Sequence, residues 1–363
     1  MKQKCIVTIT DGISPTSMPF NEFMLYRIKH YPNEKQVFIQ VFEKGINENV
    51  KMPDCVDFYS LGMSLSAIRN TIHNVEKEYD VTAYHIHEGK SVILFSVATL
   101  LTRRCKTVYT LHSTYKNYPF HNKLFCFTAS LLANYIACVS KTSYKYYPKI
   151  LKILRGNHVL SVQNGVDTER IEAVSEVYDK TGKPFTMMYV ARLVPLKRHY
   201  ILLDALRKLP DVRLEFIGTG PLQEELEAKI SEYGLESQVE FKGLLPREEV
   251  YRQLKSANLY VSTSSYEGLP IGVLEAMGCS TPCLVTDIEQ HQEIADRCPS
   301  LMTLPPNVDL WVEKISELLK MSNEDLKVIG AKNKAEVFEH FSLERMHQNY
   351  NKIYKKISQV SFV

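Results

Sequence analysis

A chain of 363 residues, 45% apolar and 23% charged, is longer than one core usually serves and suits two soluble domains of about 150–180 residues each. Its eight cysteines are scattered without a Cys-x-x-Cys pair, which excludes a short disulfide-stapled scaffold and is expected of a reduced, cytoplasmic setting. The net charge of +3 hides a division: residues 1–165 hold 20 Lys and Arg against 11 Asp and Glu, while residues 166–363 hold 24 against 30.

Met1-Lys-Gln-Lys leads straight into an apolar run, so no signal peptide is expected. Ile6–Thr10, Val37–Phe42, Tyr84–His87, Thr107–Leu111, Tyr135–Val139 and Val159–Val162 read as short strands, with room for crossover helices between most of them. Two apolar stretches, Ser91–Leu101 and Leu124–Val139, are too short to span a bilayer and read as packed core. Turn residues in Ala173–Pro184 mark a connection, after which the pattern restarts. Thr186–Val190, Leu214–Ile217, Val239–Phe241, Leu259–Ser262 and Cys283–Thr286 alternate with helices expected near 198–208, 221–233, 247–255 and 270–278. Leu310–Lys320, Asn323–Glu339 and Leu343–Ile357 read as closing helices, the last after Ser342 as a candidate N-cap. The expected class is α/β, with parallel sheets covered on both faces. Two Rossmann-like domains facing across a cleft, residues 1–170 and 171–340, are followed by a helix, 341–363, that returns to the first. Open sheets of this kind bind ligands beyond the carboxyl ends of their strands.

Three segments of the second domain carry chemistry. Arg192 and Lys197, in Ala191-Arg-Leu-Val-Pro-Leu-Lys197, follow its first strand. Arg grips an oxygen pair with a planar fork and Lys supplies a mobile charge, which suits a phosphate, although a solvated basic loop reads the same way. Gly218 and Gly220, in Ile217-Gly-Thr-Gly-Pro-Leu222, form a close turn that indicates α/β architecture more than any ligand. Ser262–Glu275 places Glu267 in a loop and Glu275 inside an apolar helical run, where a carboxylate must be hydrogen-bonded, by capping or by a ribose diol. The backbone of Gly268, Leu269, Pro270, Ile271 and Gly272 opens that helix and aims its free amides at the loop.

Taken in order, Ala191–Lys197, Ile217–Leu222, Val239-Glu-Phe-Lys-Gly243 and Glu267–Met277 resemble the GT4 family of retaining glycosyltransferases. Thr110-Leu-His112-Ser113 and Val162–Asp167 extend the resemblance into the first domain. The resemblance implies a two-domain GT-B fold and a nucleotide-sugar donor, with UDP favoured, and no cofactor. It further implies that Arg192 and Lys197 hold the donor diphosphate, Glu275 binds the ribose and Glu267 grips the donor sugar. The backbone of Gly268–Gly272 joins them, Gly218 is counted among the donor-binding residues, and His112 faces the donor sugar, whereas the bare sequence leaves His112 equally a core or capping histidine. Gly12 fits the loop that approaches the phosphates. The usual paired glycines of that loop are replaced by Asp11-Gly-Ile-Ser-Pro-Thr16, Ala191 stands where a glycine is common, and Thr286–Glu293 lacks the glycines familiar there.

Asp-x-Asp, the usual metal-holding pair of nucleotide-sugar enzymes, does not occur in the chain, so metal-independent transfer is expected. With no carboxylate in evidence as a nucleophile, front-face attack is the preferred mechanism. Between Gly89 and Val166 there is no acid, while Lys90, Arg103, Arg104, Lys106 and seven further cations occur. Lys141–Arg155 interleaves lysines with Tyr144, Tyr146, Tyr147 and aliphatics, the composition of a surface that lies on anionic lipid. Region 103–155 is therefore a candidate contact with the cytoplasmic face of the membrane. Nucleic acid is excluded as a partner, because no reading module accompanies the charge. The acceptor is expected to be a saccharide or lipid-linked glycan in polysaccharide, lipopolysaccharide or capsule synthesis. Alternatives are a sugar-nucleotide epimerase and a non-catalytic sugar-nucleotide binding protein.

Overall fold

The computed structural model describes residues 2–13, 18–45, 50–100, 106–175 and 184–359. Ser14, Pro15 and Thr16 of the first loop, Arg103 and Arg104 of the basic region, and 176–183 of the connection lie outside the described residues. The chain divides into two units, residues 1–164 with 343–363, and residues 165–342.

In the first unit the elements run β1 (Lys4–Thr10), α1 (Met18–His30), β2 (Glu34–Gln40), β3 (Asp57–Ser60), α2 (Leu65–Glu78), β4 (Asp80–Ile86) and α3 (Gly89–Thr99). They continue with β5 (Thr107–Leu111), α4 (Phe120–Leu132), β6 (Tyr135–Cys138), α5 (Lys141–Lys145), α6 (Lys149–Arg155) and β7 (Val159–Ser161). The strands form one sheet in the order β3-β2-β1-β4-β5-β6-β7. Every pairing is parallel. Central strands such as β1 and β5 are apolar and buried on both faces, as a sheet sandwiched between helices requires. β3 escaped the sequence reading because Asp57-Phe-Tyr-Ser60 is a four-residue, half-buried edge strand with no apolar run. Of the two short apolar stretches, the first lies in α3 as far as Thr99, with Leu101 outside the described residues, and the second divides between α4 and β6.

The second unit repeats the plan: α7 (Thr168–Ala173), β8 (Phe185–Val190), α8 (Tyr200–Leu206), β9 (Val212–Ile217), α9 (Gln223–Tyr233), β10 (Val239–Gly243) and α10 (Arg247–Ser256). Then follow β11 (Leu259–Ser262), α11 (Ile271–Gly278), β12 (Cys283–Thr286), α12 (Glu289–Ala295), β13 (Met302–Leu304), α13 (Val308–Leu319) and α14 (Asn323–His340). Its sheet, β10-β9-β8-β11-β12-β13, is again parallel throughout. The added edge strand β13 is only three residues long, too short to register as a periodic run. Residues just past 164 belong here because the Val166 amide donates to the Phe341 carbonyl at 2.8 Å and Ile171 is buried in the core around α11.

The last helix, α15 (Leu343–Gln359), packs onto the first unit's sheet, burying Met346, Tyr350, Ile353, Tyr354 and Ile357 with Ile6, Ala83 and Val108. Both sheets reverse their strand order where the first strand of the unit meets its fourth, β1 against β4 and β8 against β11. That reversal decides which loops become neighbours.

Candidate functional site

β8 and β11 are adjacent, so the loops leaving their carboxyl ends are neighbours although some 70 residues separate them in sequence. The loop after β8 folds through a short 3-10 turn, Pro195–Lys197, closed by Arg198 in the left-handed region at φ 48°. It is tied down at several points. The Tyr189 hydroxyl donates to the Lys197 carbonyl at 3.0 Å, and the Thr263 hydroxyl donates to the same carbonyl at 2.8 Å. The Ser265 amide donates to the Leu196 carbonyl at 2.8 Å. Gly218 completes the support from β9: at φ 133° it lies against this loop, and a Cβ there would stand 2.1 Å from the Ala191 carbonyl oxygen. The Ile-Gly-Thr-Gly turn is thus required by packing, which the sequence had left open.

Lys197 and Glu267 meet directly, Nζ to Oε1 at 2.5 Å, with both side chains largely withdrawn from solvent. Burial works against either charge. For Lys197 the neighbouring carboxylate prevails and its pKa is raised. For Glu267 burial is again the largest influence, but the Lys197 ammonium, with help from Ser264, holds the carboxyl below its ordinary value. Arg192 is exposed and bonds to neither of them, although its charge acts on Lys197. Beneath the loop, the Thr286 hydroxyl donates to the Ser264 carbonyl at 2.6 Å, and His291 Nδ1 lies 2.6 Å from the Thr286 carbonyl. Burial pushes His291 down to about 4, so the ring is neutral and Nδ1 is the donor.

α11 starts at Ile271 with Pro270 as its N-cap and no side chain capping it. Its first amides therefore lack helical acceptors. Gly268 and Gly272 are half-buried, and Leu269 and Pro270 are buried. A side chain at Gly272 would come within 2.9 Å of the Tyr260 hydroxyl and 3.2 Å of the Val190 carbonyl oxygen, so the helix start can approach the sheet only without one. Tyr260 feels the charges of both Glu267 and Glu275.

Glu275 is satisfied by a partner the sequence did not suggest. Arg247, first residue of α10, places one nitrogen 2.6 Å from each carboxylate oxygen, and the Tyr251 hydroxyl donates to Oε1 at 3.2 Å. Neither a helix cap nor an external diol is needed to account for that carboxylate, since both of its oxygens have protein partners. Pro246-Arg-Glu-Glu249 looks like a solvated helix start. Only the topology, which sets α10 against α11, brings Arg247 to Glu275.

In the first unit, His112 follows β5 directly and its Nε2 lies 3.0 Å from Nδ1 of His87, which follows β4. Burial pushes His112 down to about 4. Gly12, past β1, packs so closely on the Glu43 carboxylate that a Cβ would collide with it, and Asp11 beside it accepts a hydrogen bond from Ser91 at 2.5 Å. Among the described residues, no group of three or more His, Cys, Asp or Glu side chains could hold a metal ion, and no helix is long and apolar enough to cross a membrane.

The family described as "Glycosyltransferase Family 4" matches residues 34–170, and "Glycosyl transferases group 1" matches residues 170–336. EpsD of Bacillus subtilis, a glycosyltransferase by assignment, is 25% identical over 298 residues, 75% of this chain and 77% of that one. A sucrose-phosphate synthase from Thermosynechococcus elongatus superposes with a TM-score of 0.81 at 15% identity, covering 99% of this chain and 100% of the other. HepE of Anabaena, solved with UDP-glucose, superposes with a TM-score of 0.76 at 19% identity, covering 98% and 100%. At these identities the two structures speak for the fold.

Proposed function

We propose that this chain, a GT-B-fold glycosyltransferase related to glycosyltransferase family 4, moves a hexose or N-acetylhexosamine from a nucleoside-diphosphate sugar to a saccharide or lipid-linked acceptor in cell-surface glycan synthesis, with retention of configuration. The observation that carries the reading is the pairing of Lys197 with Glu267 at the strand-order reversal, beside the uncapped start of α11. Lys197 and Arg192 hold the diphosphate and stabilise the charge that grows on it as it leaves. The α11 amides at Ile271 and Gly272 add partial positive charge. Glu267 exchanges its bond to Lys197 for the hydroxyls of the donor sugar, and Glu275, held by Arg247, takes the ribose diol. His112, neutral at physiological pH, hydrogen-bonds the donor sugar as it is transferred.

The cations and the helix start supply what a bound metal supplies in other nucleotide-sugar enzymes, so the reaction proceeds without one. UDP as the nucleotide is supported by the family and by the UDP-glucose seen in HepE. Donor consumption assayed across UDP-, GDP- and ADP-sugars, with and without EDTA, tests this reading. Turnover of a UDP-sugar, unaffected by the chelator, is expected. An epimerase would convert the donor without releasing UDP, and a binding protein would leave it intact.

The surface of the first unit also supports a membrane-facing acceptor. Phe120 and Leu124 on α4, and Ile150, Ile153 and Leu154 on α6, are exposed among Lys123, Lys149 and Lys152, with no acid between residues 89 and 166. The tyrosines contribute less than the sequence suggested. Tyr147 is in the core, while Lys116 lies 3.6 Å from the Tyr146 ring and Lys152 lies 4.5 Å from the Tyr144 ring. Apolar side chains ringed by lysines suit an anionic bilayer surface on the cytoplasmic face of the plasma membrane. Flotation with vesicles of phosphatidylglycerol and phosphatidylcholine is expected to carry the protein, and the doubly charged variant Phe120→Glu/Ile153→Glu is expected to stay behind. Failure of the wild-type protein to float with the anionic vesicles would remove the membrane from the proposal.

A further inference from the structure

The function proposed for His112 leaves unexplained why three more histidines crowd behind it in the first unit. His85 and His87 project from one face of β4 and its end, two residues apart, and their rings stack with centroids 4.3 Å apart. His87 Nδ1 is 3.0 Å from His112 Nε2. His85 is held at both nitrogens, Nδ1 by the Tyr354 hydroxyl at 2.7 Å and Nε2 by the Thr110 hydroxyl at 2.7 Å, and Thr110 is in turn 2.9 Å from the Tyr350 hydroxyl. Phe23 of α1 closes the stack, edge-on to His85 at 4.9 Å and to His87 at 6.2 Å. His347 also packs on Phe23, with ring centroids 4.4 Å apart.

Fully buried polar rings of this kind are costly unless each nitrogen is engaged, so their persistence calls for a purpose. Burial, the largest influence on each, holds His85 and His87 far below the ordinary histidine range, and both are neutral. Two neutral imidazoles joined by one hydrogen bond share a single proton along it. The tautomer and the ring angle of His112 therefore depend on His87. Tyr350 and Tyr354 come from α15, which means the C-terminal helix braces the stack against which His87 is set.

We propose that His87, braced by His85 and by the tyrosines of α15, is a positioning residue that fixes the tautomer and ring orientation of His112 for transfer. The proposal rests on the reading of His112 as the group that meets the donor sugar. It gives α15 a part in chemistry: the helix holds a reacting side chain in its pose as well as covering the sheet.

The test compares His87→Phe, His87→Asn and His112→Ala in the full chain. Phenylalanine keeps the stack on His85 and loses the bond to His112. Asparagine carries a nitrogen and an oxygen one bond from Cγ, where imidazole carries Nδ1, and so can restore that bond. His87→Phe is expected to lower kcat about tenfold to a hundredfold, with donor KM changed by less than about threefold, because misplacement acts on the reacting step. His87→Asn is expected to return kcat to within about threefold of wild type. Wild-type kcat in His87→Phe beside an inactive His112→Ala would overturn the positioning role alone, and so would equal impairment of the Phe and Asn variants. Full activity in His112→Ala would overturn the reading of His112 and this inference together.

Discussion

Lys197→Ala is expected to lower kcat by about 10²- to 10³-fold, the scale seen when one preorganised electrostatic donor is removed from a reacting centre. The ammonium is fixed before any ligand arrives. The carbonyls of residues 196–198 are taken by Thr263, Ser265 and Tyr189, and the amino group itself rests on Glu267. Arginine is not expected to rescue it, because the guanidinium is larger and planar where a compact three-donor head is held. The same variant makes a second prediction whose sign can be worked out. Burial pushes the Glu267 carboxyl up and Lys197 brings it below its ordinary value. With the ammonium gone, burial acts unopposed by it and the carboxyl rises. The acid limb of the residual pH–rate profile is therefore expected to move to higher pH. A profile that keeps its acid limb in place would mean that Glu267 does not need to be ionised for turnover.

Arg247→Ala is expected to destabilise the second unit by about 3–5 kcal/mol, because it strands a carboxylate that has only 4% of its side chain exposed. Tyr251 offers one hydroxyl, too little to hold an isolated buried charge. Urea unfolding measures the loss. Replacing both partners, as in Arg247→Met with Glu275→Leu, is expected to recover most of that stability, since a buried ion pair is often no better than apolar groups of similar volume. The double variant should nevertheless fail to bind donor if Glu275 takes the ribose. Recovery of both stability and donor affinity would assign the pair a purely structural part. A combined measurement thus separates a structural part from donor binding for one carboxylate.

The parallel alternation was legible because crossover helices and short apolar strands have different lengths and periods, and both sheets formed as expected from them. β3 and β13 were not, because edge strands of three or four residues carry no run to detect. Arg192, Lys197, Glu267 and Glu275 were legible as types in a familiar order. Their partners were not. The bond between Lys197 and Glu267 depends on β8 lying beside β11, and the bond between Arg247 and Glu275 on α10 lying beside α11. His-x-His at 85 and 87 puts two polar residues on one face of a buried strand, a pattern that announces a network, and only the pairing of β4 with β5 shows that it ends on His112.

A cationic loop and an acidic loop brought together around one diphosphate is the claim on which the rest depends, and calorimetric titration of UDP tests it most directly. Wild type and Arg192→Ala/Lys197→Ala would be compared under identical salt. Loss of two charge-assisted contacts predicts a Kd weaker by about a hundredfold or more, with the fold intact by circular dichroism. Equal affinity in the two proteins would contradict it, and the diphosphate would then have to be held elsewhere.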